Sequence, residues 1–518
     1  METALWLFSA SPDNMQITKK LIITNTLWSA SAQVLVMGIN LLVLPLFIKN
    51  LGAELYGIWV LSGVVLGYLN VFDFGFTQGL QKYAVEARVA GDQRQLSEVV
   101  VSGTCLLFFI GLLLGALFWF SADAVVGFFD IQPENQQVAS SLLKISALFC
   151  VVMWPLRIVD VVLNASMRIK ELSFLNAFKT GVQSLVMLGM VWVAADVVLI
   201  KWVSAGLIAA CSSFGLVLVK KYVPEIRWNF INFQVRQLKR MHKFSLGMFY
   251  ITVIGLLATQ IDSLIIGKML GMTAVAAYAV AFKLFQLIQR IAGMLMVAIM
   301  PTTFNLNASA DYRRIQKLVD TTSRYRLLLT VPMAYIAILI APDFIRLWVG
   351  ESFVEHAIWA QVMCSANLFI GLGVANTVSR AMGHVKETNF IYSIQLVLNV
   401  CISIILVPYF GIGGPILGSV IAVILVGDFT MFPLFCRIMG IGWKPTYFMA
   451  MRILFVGFGL YGVGLLLRSF FDFSGLLELA IYSGLMASIF VLAFGLLFLK
   501  SESAQVFGYI RHRCEMLK

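Results

Sequence analysis

From end to end, long apolar runs alternate with short polar connections. About 14 runs reach the roughly 20 residues that an α-helix needs to cross a hydrocarbon core. They lie near 20–47, 54–72, 97–120, 139–164, 173–195, 198–219, 244–266, 274–300, 325–342, 356–380, 388–409, 412–436, 449–468 and 476–499. Open strands would leave their backbone groups unpaired in lipid, so the pattern predicts an all-α polytopic membrane protein. No connection between spans is long enough for a further folded domain of about 50 residues. Between the second and third spans, Lys82, Glu86 and Arg88 interleave with Leu80, Tyr83, Ala84 and Val85. Residues 77–96 therefore read as an amphipathic helix at the cytoplasmic interface.

The pattern also repeats. Lys49-Asn50-Leu51-Gly52 recurs 219 residues later as Lys268-Met269-Leu270-Gly271, and Asp92-Gln93-Arg94 recurs at the same distance as Asp311-Tyr312-Arg313. Lys170-Glu171 with Phe174 recurs 216 residues later as Lys386-Glu387 with Phe390. Matches in order, at nearly constant offset, make spans one to six and seven to twelve two copies of one bundle. An even number of spans per copy makes the repeats parallel, an arrangement in which substrate is held between two rocking halves. The expected organisation is a lobe over 1–219, a basic cytoplasmic linker over 220–243, a second lobe over 244–436, and two extra helices with a cytoplasmic tail over 437–518.

Composition removes other classes. The chain is 60% hydrophobic and 12% charged, against about 25% charged in soluble domains. Its net charge of +12 sits mostly on alternate connections and the tails, the positive-inside bias that places both termini in the cytoplasm. The densest cluster (Lys220, Lys221, Arg227, Arg236, Lys239, Arg240 and Lys243) has no stacking platform or separate fold beside it. It reads as a topology anchor against anionic lipid rather than a nucleic-acid site. Seven cysteines without a CxxC and four scattered histidines without an HExxH give no disulfide framework, metal site or cofactor. Gly267-Lys268 lacks the rest of a P-loop; only Ala4 to Ala10 is apolar before Pro12, and Lys19-Lys20 then precede a run too long for a cleaved leader, so the first span is read as retained.

Candidate chemistry lies in polar residues inside the spans, where a charge costs about 2.5–3.5 kcal/mol and needs a partner or a hydrated cavity. Lys283, Gln286 and Arg290 share one face of span eight. Arg157, Asp160 and Asn164 share a face of span four, where the first two could neutralise one another. In span one, Asn25, Ser29, Gln33 and Asn40 form a polar stripe. Lys179 and Gln183 correspond by the repeat to Gln395 and Asn399, and for such amides hydrogen-bonded glue between helices is the competing reading. Asp262, Asp160 and Asp73 are candidates for ion coupling or gating, with Asp73 and Glu86 assigned to the cytoplasmic gate or interface. Gly111 and Gly115 form a GxxxG, read as close packing within the bundle in preference to dimerisation, and the protein as a monomer.

The stretch Leu51-Gly52-Ala53-Glu54-Leu55-Tyr56-Gly57, then Asp73-Phe74-Gly75, Lys82-Tyr83 with Glu86, and Gly91-Asp92 resembles the N-terminal signature of the polysaccharide transporter family, the Wzx-type O-antigen flippases. Asp262 through Gly267, Leu270-Gly271, Tyr278, and Leu347 through Glu351 resemble its second half, so nearly the whole chain is covered. The wider MOP superfamily also holds multidrug exporters and lipid II flippases. The resemblance implies a V-shaped pair of lobes around a cationic cavity, in a bacterial inner-membrane transporter rather than an enzyme. It implies movement of an undecaprenyl-diphosphate-linked oligosaccharide, an O-antigen or similar repeat unit, to the periplasmic leaflet by alternating access. The expected partners are that substrate, membrane lipids, a glycan polymerase with its chain-length machinery, and a proton or sodium counter-ion. Substrate would contact Arg290, Lys283, Gln286, Arg157, Asn25, Ser29, Gln33 and Lys179. The alternative is an ion-coupled exporter of small amphipathic compounds, although span one lacks the acidic residue that bacterial multidrug members commonly use; a non-transporting scaffold is a third reading.

Overall fold

A computed structural model of the chain describes residues 38–39, 41–73, 75–166, 168–193, 196–296, 299–308, 311–369 and 373–498. Asn25, Ser29, Gln33 and Asn40 lie outside the described residues. Helices account for nearly all of the rest, and the described residues contain no strand. The helices are α1 (Leu41–Leu51), α2 (Ala53–Leu69), α3 (Phe76–Val89), α4 (Gln93–Phe128), α5 (Pro133–Leu156), α6 (Ile158–Ala165), α7 (Ile169–Trp192), α8 (Val197–Tyr222), α9 (Val235–Leu270) and α10 (Met272–Met294). They continue with α11 (Ile299–Ala308), α12 (Tyr312–Trp348), α13 (Ala357–Ser365), α14 (Val374–Ala381), α15 (Val385–Phe410), α16 (Gly413–Ala422), a π-helical stretch (Val423–Met431), α17 (Phe432–Ile438), α18 (Lys444–Arg468) and α19 (Leu476–Phe498).

Ten helices among the described residues are long and apolar enough to cross a membrane, and two shorter apolar helices precede them. Two expected spans are interrupted. The fourth breaks at Arg157, just after Pro155, which removes a backbone donor from the last turn of α5. The tenth is interrupted after α13 by a 3₁₀ turn at Ala366–Leu368, and helix is next described from Val374 in α14. The expected interface helix is shorter than the 77–96 read from sequence: α3 ends at Val89, Gly91 turns the chain at φ 70°, and Leu96 belongs to α4. Part of the expected 220–243 linker is helical, because Lys220 and Lys221 close α8 while Arg236, Lys239 and Arg240 lie in the first turns of α9.

The chain packs as two compact units. The first takes the described residues to Gln260 with Gly271–Thr273; the second takes Ile261–Leu270 and the described residues from Ala274 onward. Inside the first, α4 lies along α5, α5 and α7 meet α8, and α3 packs on α4 and α6. Leu80, Val99, Leu107, Trp154, Leu163, Leu175 and Val219 fill its core. The GxxxG sits at the α4–α5 contact: a Cβ on Gly111 would stand 2.9 Å from the Cys150 carbonyl oxygen, and one on Gly115 2.8 Å from that of Ala147. Overpacking costs about 1–3 kcal/mol per site, more than the roughly 1 kcal/mol of helix propensity gained from Gly to Ala. Gly111→Ala/Gly115→Ala should therefore lower the melting midpoint of purified protein in a fluorescence-detected thermal scan; an unchanged or higher midpoint would refute the contact.

Inside the second unit, α12 runs through the middle, flanked by α13, α18 and α19, while α15 pairs with α16. Arg468 on α18 donates to Asp343 at 2.5 Å and to the Leu339 carbonyl at 3.0 Å, fastening α18 to α12. The sequence repeat reappears in the elements. Gly52 (φ 90°) precedes α2 and Gly271 (φ 86°) precedes α10. Asp92 caps α4 through Gln95 N–H at 2.8 Å, and Asp311 caps α12 through Arg314 N–H at 3.1 Å. Ends agree at the 216-residue offset for α6 and α14, and α8 matches the combined run from α16 through α17. The copies differ where α8 is regular and its counterpart opens into the π-helical stretch.

Candidate functional site

Three polar constellations and one cavity carry the candidate chemistry, each inside a single unit. In the first unit, the break between α5 and α6 places Arg157 over the Trp154 ring at 4.1 Å. Its charge is within electrostatic reach of Asp73 and Asp160, and Asp160 in turn of Lys179. Asp73 is 5% exposed at the end of the 3₁₀ turn Asn70–Asp73, its carboxylate oxygens accepting from Thr77 N–H in the first turn of α3 at 3.3 and 3.2 Å. Three residues that sequence reading placed on separate spans (Arg157, Lys179 and Asp73) thus share one charge network with Asp160. Glu86 on α3 instead accepts from Arg240 at 3.2 Å.

In the second unit, α10 presents Lys283 and Gln286, both half-buried, and Arg290, which is exposed. The neighbouring Leu284 and Ile288 are buried, and Tyr278, Phe282 and Phe285 stack in sequence along the helix. The cationic face expected from the spacing is present, and Lys283 feels the charge of Arg290.

Asp262 is 4% exposed near the end of α9. Ser419 of α16 donates to it at 2.7 Å, Tyr278 of α10 at 3.0 Å and Asn399 of α15 at 3.4 Å. Ser403 supports Asn399 by donating to its amide oxygen at 2.9 Å. Four helices therefore converge on one carboxylate. Gly418 permits the approach, since a Cβ there would stand 2.9 Å from both the carbonyl and the side-chain oxygen of Asn399.

The cavity, of ≈ 350 Å³, also lies in the second unit. Arg326 of α12, Asn376 and Arg380 of α14, Tyr392 and Gln395 of α15, and Val423, Gly427 and Met431 of the π-helical stretch line it. Arg326 is 8% exposed. Arg380 lies over the Tyr392 ring at 5.0 Å, and Asn376 donates to the Tyr392 hydroxyl.

Sequence reading named Gln395 but missed Arg326 and Arg380. Both stand at ends of expected spans that the charge pattern assigns to the cytoplasmic side, where a basic residue looks like an ordinary anchor. The usable signal was the repeat, which aligns Arg380 with the already selected Asn164. Lys201 was also missed: it is 9% exposed, beside the Trp59 ring at 4.9 Å and bonded to Ser62 Oγ at 3.1 Å. No group of three or more His, Cys, Asp or Glu side chains able to hold a metal occurs among the described residues.

The sequence profile of the polysaccharide biosynthesis protein family matches residues 51–358, more than half of the chain. The chain belongs to this family. A family relative from Shigella flexneri, named for O-antigen transport, is 22% identical over 411 residues, covering 78% of this chain and 95% of its own length. A Salmonella typhi protein named for the same transport is 20% identical over 59% of this chain and 69% of its own length. Among solved structures, the lipid II flippase MurJ in an inward closed conformation gives a TM-score of 0.71 at 15% identity, covering 91% of this chain and 99% of its own. An inward-facing multidrug resistance MATE transporter of the MOP superfamily gives 0.68 at 13% identity, over 80% and 98%. This polysaccharide biosynthesis family member thus has the fold of these MOP-superfamily proteins, with ten helices among the described residues long and apolar enough to cross a membrane.

Proposed function

We propose that the protein is a flippase that carries an undecaprenyl-diphosphate-linked oligosaccharide, an O-antigen or similar repeat unit, from the cytoplasmic to the periplasmic leaflet of the bacterial inner membrane by alternating access. The observation that carries this reading is the match, over 78% of this chain and 95% of its own length, to a protein named for O-antigen transport. Physical support comes from the cations of the second unit. Lys283 and Arg290 on α10 and the two arginines of the second-unit cavity suit an anionic diphosphate, whereas a cationic drug calls for a net negative site.

In this reading the repeat-related lobes do the moving, and Arg290, Lys283, Gln286, Arg157 and Lys179 contact the diphosphate and first sugars. Asn25, Ser29 and Gln33 complete that set in our proposal. Asp73 and Glu86 gate the cytoplasmic side, with both termini cytoplasmic, while Asp262 and Asp160 are the candidates for coupling. No bond is made or broken. Moving two phosphate charges outward gains roughly 4–5 kcal/mol per 100 mV, so the membrane potential is a sufficient drive.

The test is complementation. Expressed in a strain lacking its O-antigen flippase but supplied with a matching repeat unit, the wild-type gene should restore surface glycan on a silver-stained gel. Absence of glycan despite protein in the membrane, combined with increased resistance to cationic dyes, would favour the exporter reading instead.

A further inference from the structure

Residues 223–234 join α8 to α9 inside the first unit, through a 3₁₀ turn at Phe230–Asn232. The segment has an inner and an outer apolar side. Val223 and Ile226 are buried in the core of the unit, whereas Trp228, Ile231 and Phe233, followed by Val235 at the start of α9, remain exposed; Ile231 is 79% exposed and Val235 52%. The segment is fastened to α4. The Arg227 N–H donates to Ser97 Oγ at 3.1 Å and the Gln234 N–H to Ser102 Oγ at 2.8 Å, both serines being buried. Gln237 donates to Glu98 of the same helix at 3.1 Å, and Asn232 closes the segment on itself by donating to the Arg227 carbonyl at 2.8 Å. The outer apolar side chains are therefore held on the surface from both ends.

The fastening points fix the height of the segment. Ser97 begins the expected third span, 97–120, and Ser102 lies five residues further along α4, about 7.5 Å. An amphipathic element at a membrane surface buries its apolar face roughly 5–10 Å into the headgroup boundary. The segment runs beside α4 at that depth. Charge of one sign surrounds it: Lys220 and Lys221 close α8, and Arg227, Arg236 and Lys239 follow, all exposed. The carboxylates bonded into this region are engaged elsewhere, Glu225 with Arg88 at 3.3 Å, Glu98 with Arg94 at 3.1 Å and Glu86 with Arg240 at 3.2 Å.

We propose that this segment is a lipid-docking strap: Trp228, Ile231, Phe233 and Val235 insert at the headgroup boundary of an anionic leaflet, and Arg227, Arg236 and Lys239 hold lipid phosphates around them. A topology signal needs only charge near the end of a span. The apolar wedge and its anchorage on α4 go beyond that requirement. A partner protein fits less well, because the face lies beside a membrane span, at the height of the bilayer surface. Exposed apolar side chains rimmed by basic ones match an anionic lipid surface.

The test labels the full chain with fluorotryptophan and reconstitutes it in nanodiscs, where the fluorine resonance missing from Trp228→Phe identifies that ring. In discs of phosphatidylglycerol and phosphatidylcholine, a nitroxide near the top of the acyl chain should broaden this resonance, and a water-soluble gadolinium chelate should leave it nearly unchanged. With the nitroxide carried on a minority lipid in phosphatidylcholine discs, labelled phosphatidylglycerol should broaden it several-fold more than labelled phosphatidylcholine, since one basic side chain near an anionic surface is worth about fivefold. Arg227→Gln/Arg236→Gln/Lys239→Gln should erase that preference with an unchanged melting midpoint. Ile231→Asn/Phe233→Asn should reduce broadening by both lipids while the preference persists. A Trp228 ring that the lipid nitroxide does not reach overturns the docking. Equal broadening by the two labelled lipids, or a preference that survives the triple glutamine variant, overturns the anionic assignment. Neither outcome depends on the transported substrate, so the strap and the flippase reading stand or fall separately.

Discussion

Cells carrying Arg290→Ala together with Lys283→Ala should display almost no surface glycan in the complementation assay, with protein still detected in the membrane by immunoblot. The two residues share one face of α10 and lie one heptad apart, about 10.5 Å along the helix. An elongated diphosphate with its first sugar can bridge that separation. A charge-assisted contact contributes about 1.5–3 kcal/mol, so losing one weakens binding roughly 10- to 150-fold and losing both weakens it further. The two should also differ in kind. Arginine offers a planar fork for two phosphate oxygens and lysine a point charge, so Arg290→Lys should impair display more than Lys283→Arg. The exposed Arg290 and half-buried Lys283 fit this division, since the exposed fork is freer to follow substrate. Normal display from both well-expressed single alanine variants would make the cationic face structural and remove this assignment.

In proteoliposomes, Asp262→Asn should abolish any acceleration of flipping by an imposed proton or sodium gradient while preserving transport driven by potential alone. The amide keeps the shape and can still accept from Ser419 or Tyr278, but the charge at the convergence of α9, α10, α15 and α16 is gone. One charge moved across 100 mV is worth about 2.3 kcal/mol, roughly 50-fold in a gradient, so the difference is well within a fluorescence-quench assay. Asp262→Ala should behave differently, leaving buried donors without their acceptor at about 1–3 kcal/mol each and lowering the melting midpoint. Wild-type transport indifferent to both ion gradients would remove coupling at Asp262 and leave the membrane potential as the drive.

Much of the architecture was legible because lipid imposes its constraint locally. A run of about 20 apolar residues must be a helix whatever its neighbours do, and the ends of α7, α8, α15 and α19 fall close to the expected boundaries. The repeat was legible for a related reason. Gly52 and Gly271 hold positive φ, and Asp92 and Asp311 cap helices. Such backbone requirements are met by few residue types, so they remain visible when packing residues have diverged. The same rule gave the face of Lys283, Gln286 and Arg290, because residues one heptad apart on a regular helix share a side.

What the sequence could not determine depends on groups distant in the chain. The break at Arg157 and the 3₁₀ turn at Ala366–Leu368 were hidden because hydropathy averages over a window and does not register which backbone turns are regular. Asp262 was visible as a buried acid, but its partners Tyr278, Asn399 and Ser419 lie 16, 137 and 157 residues away, and only helix packing selects them among many polar residues. Arg326 and Arg380 looked like ordinary membrane anchors until α12, α14, α15 and the π-helical stretch enclosed a common cavity. The sequence by itself determined the helices, their membrane setting and their duplication, since these follow from local solvation and backbone geometry. Only the tertiary structure decided which charges share a space and which are already balanced, because the energy of a buried charge is set by neighbours that no local pattern records.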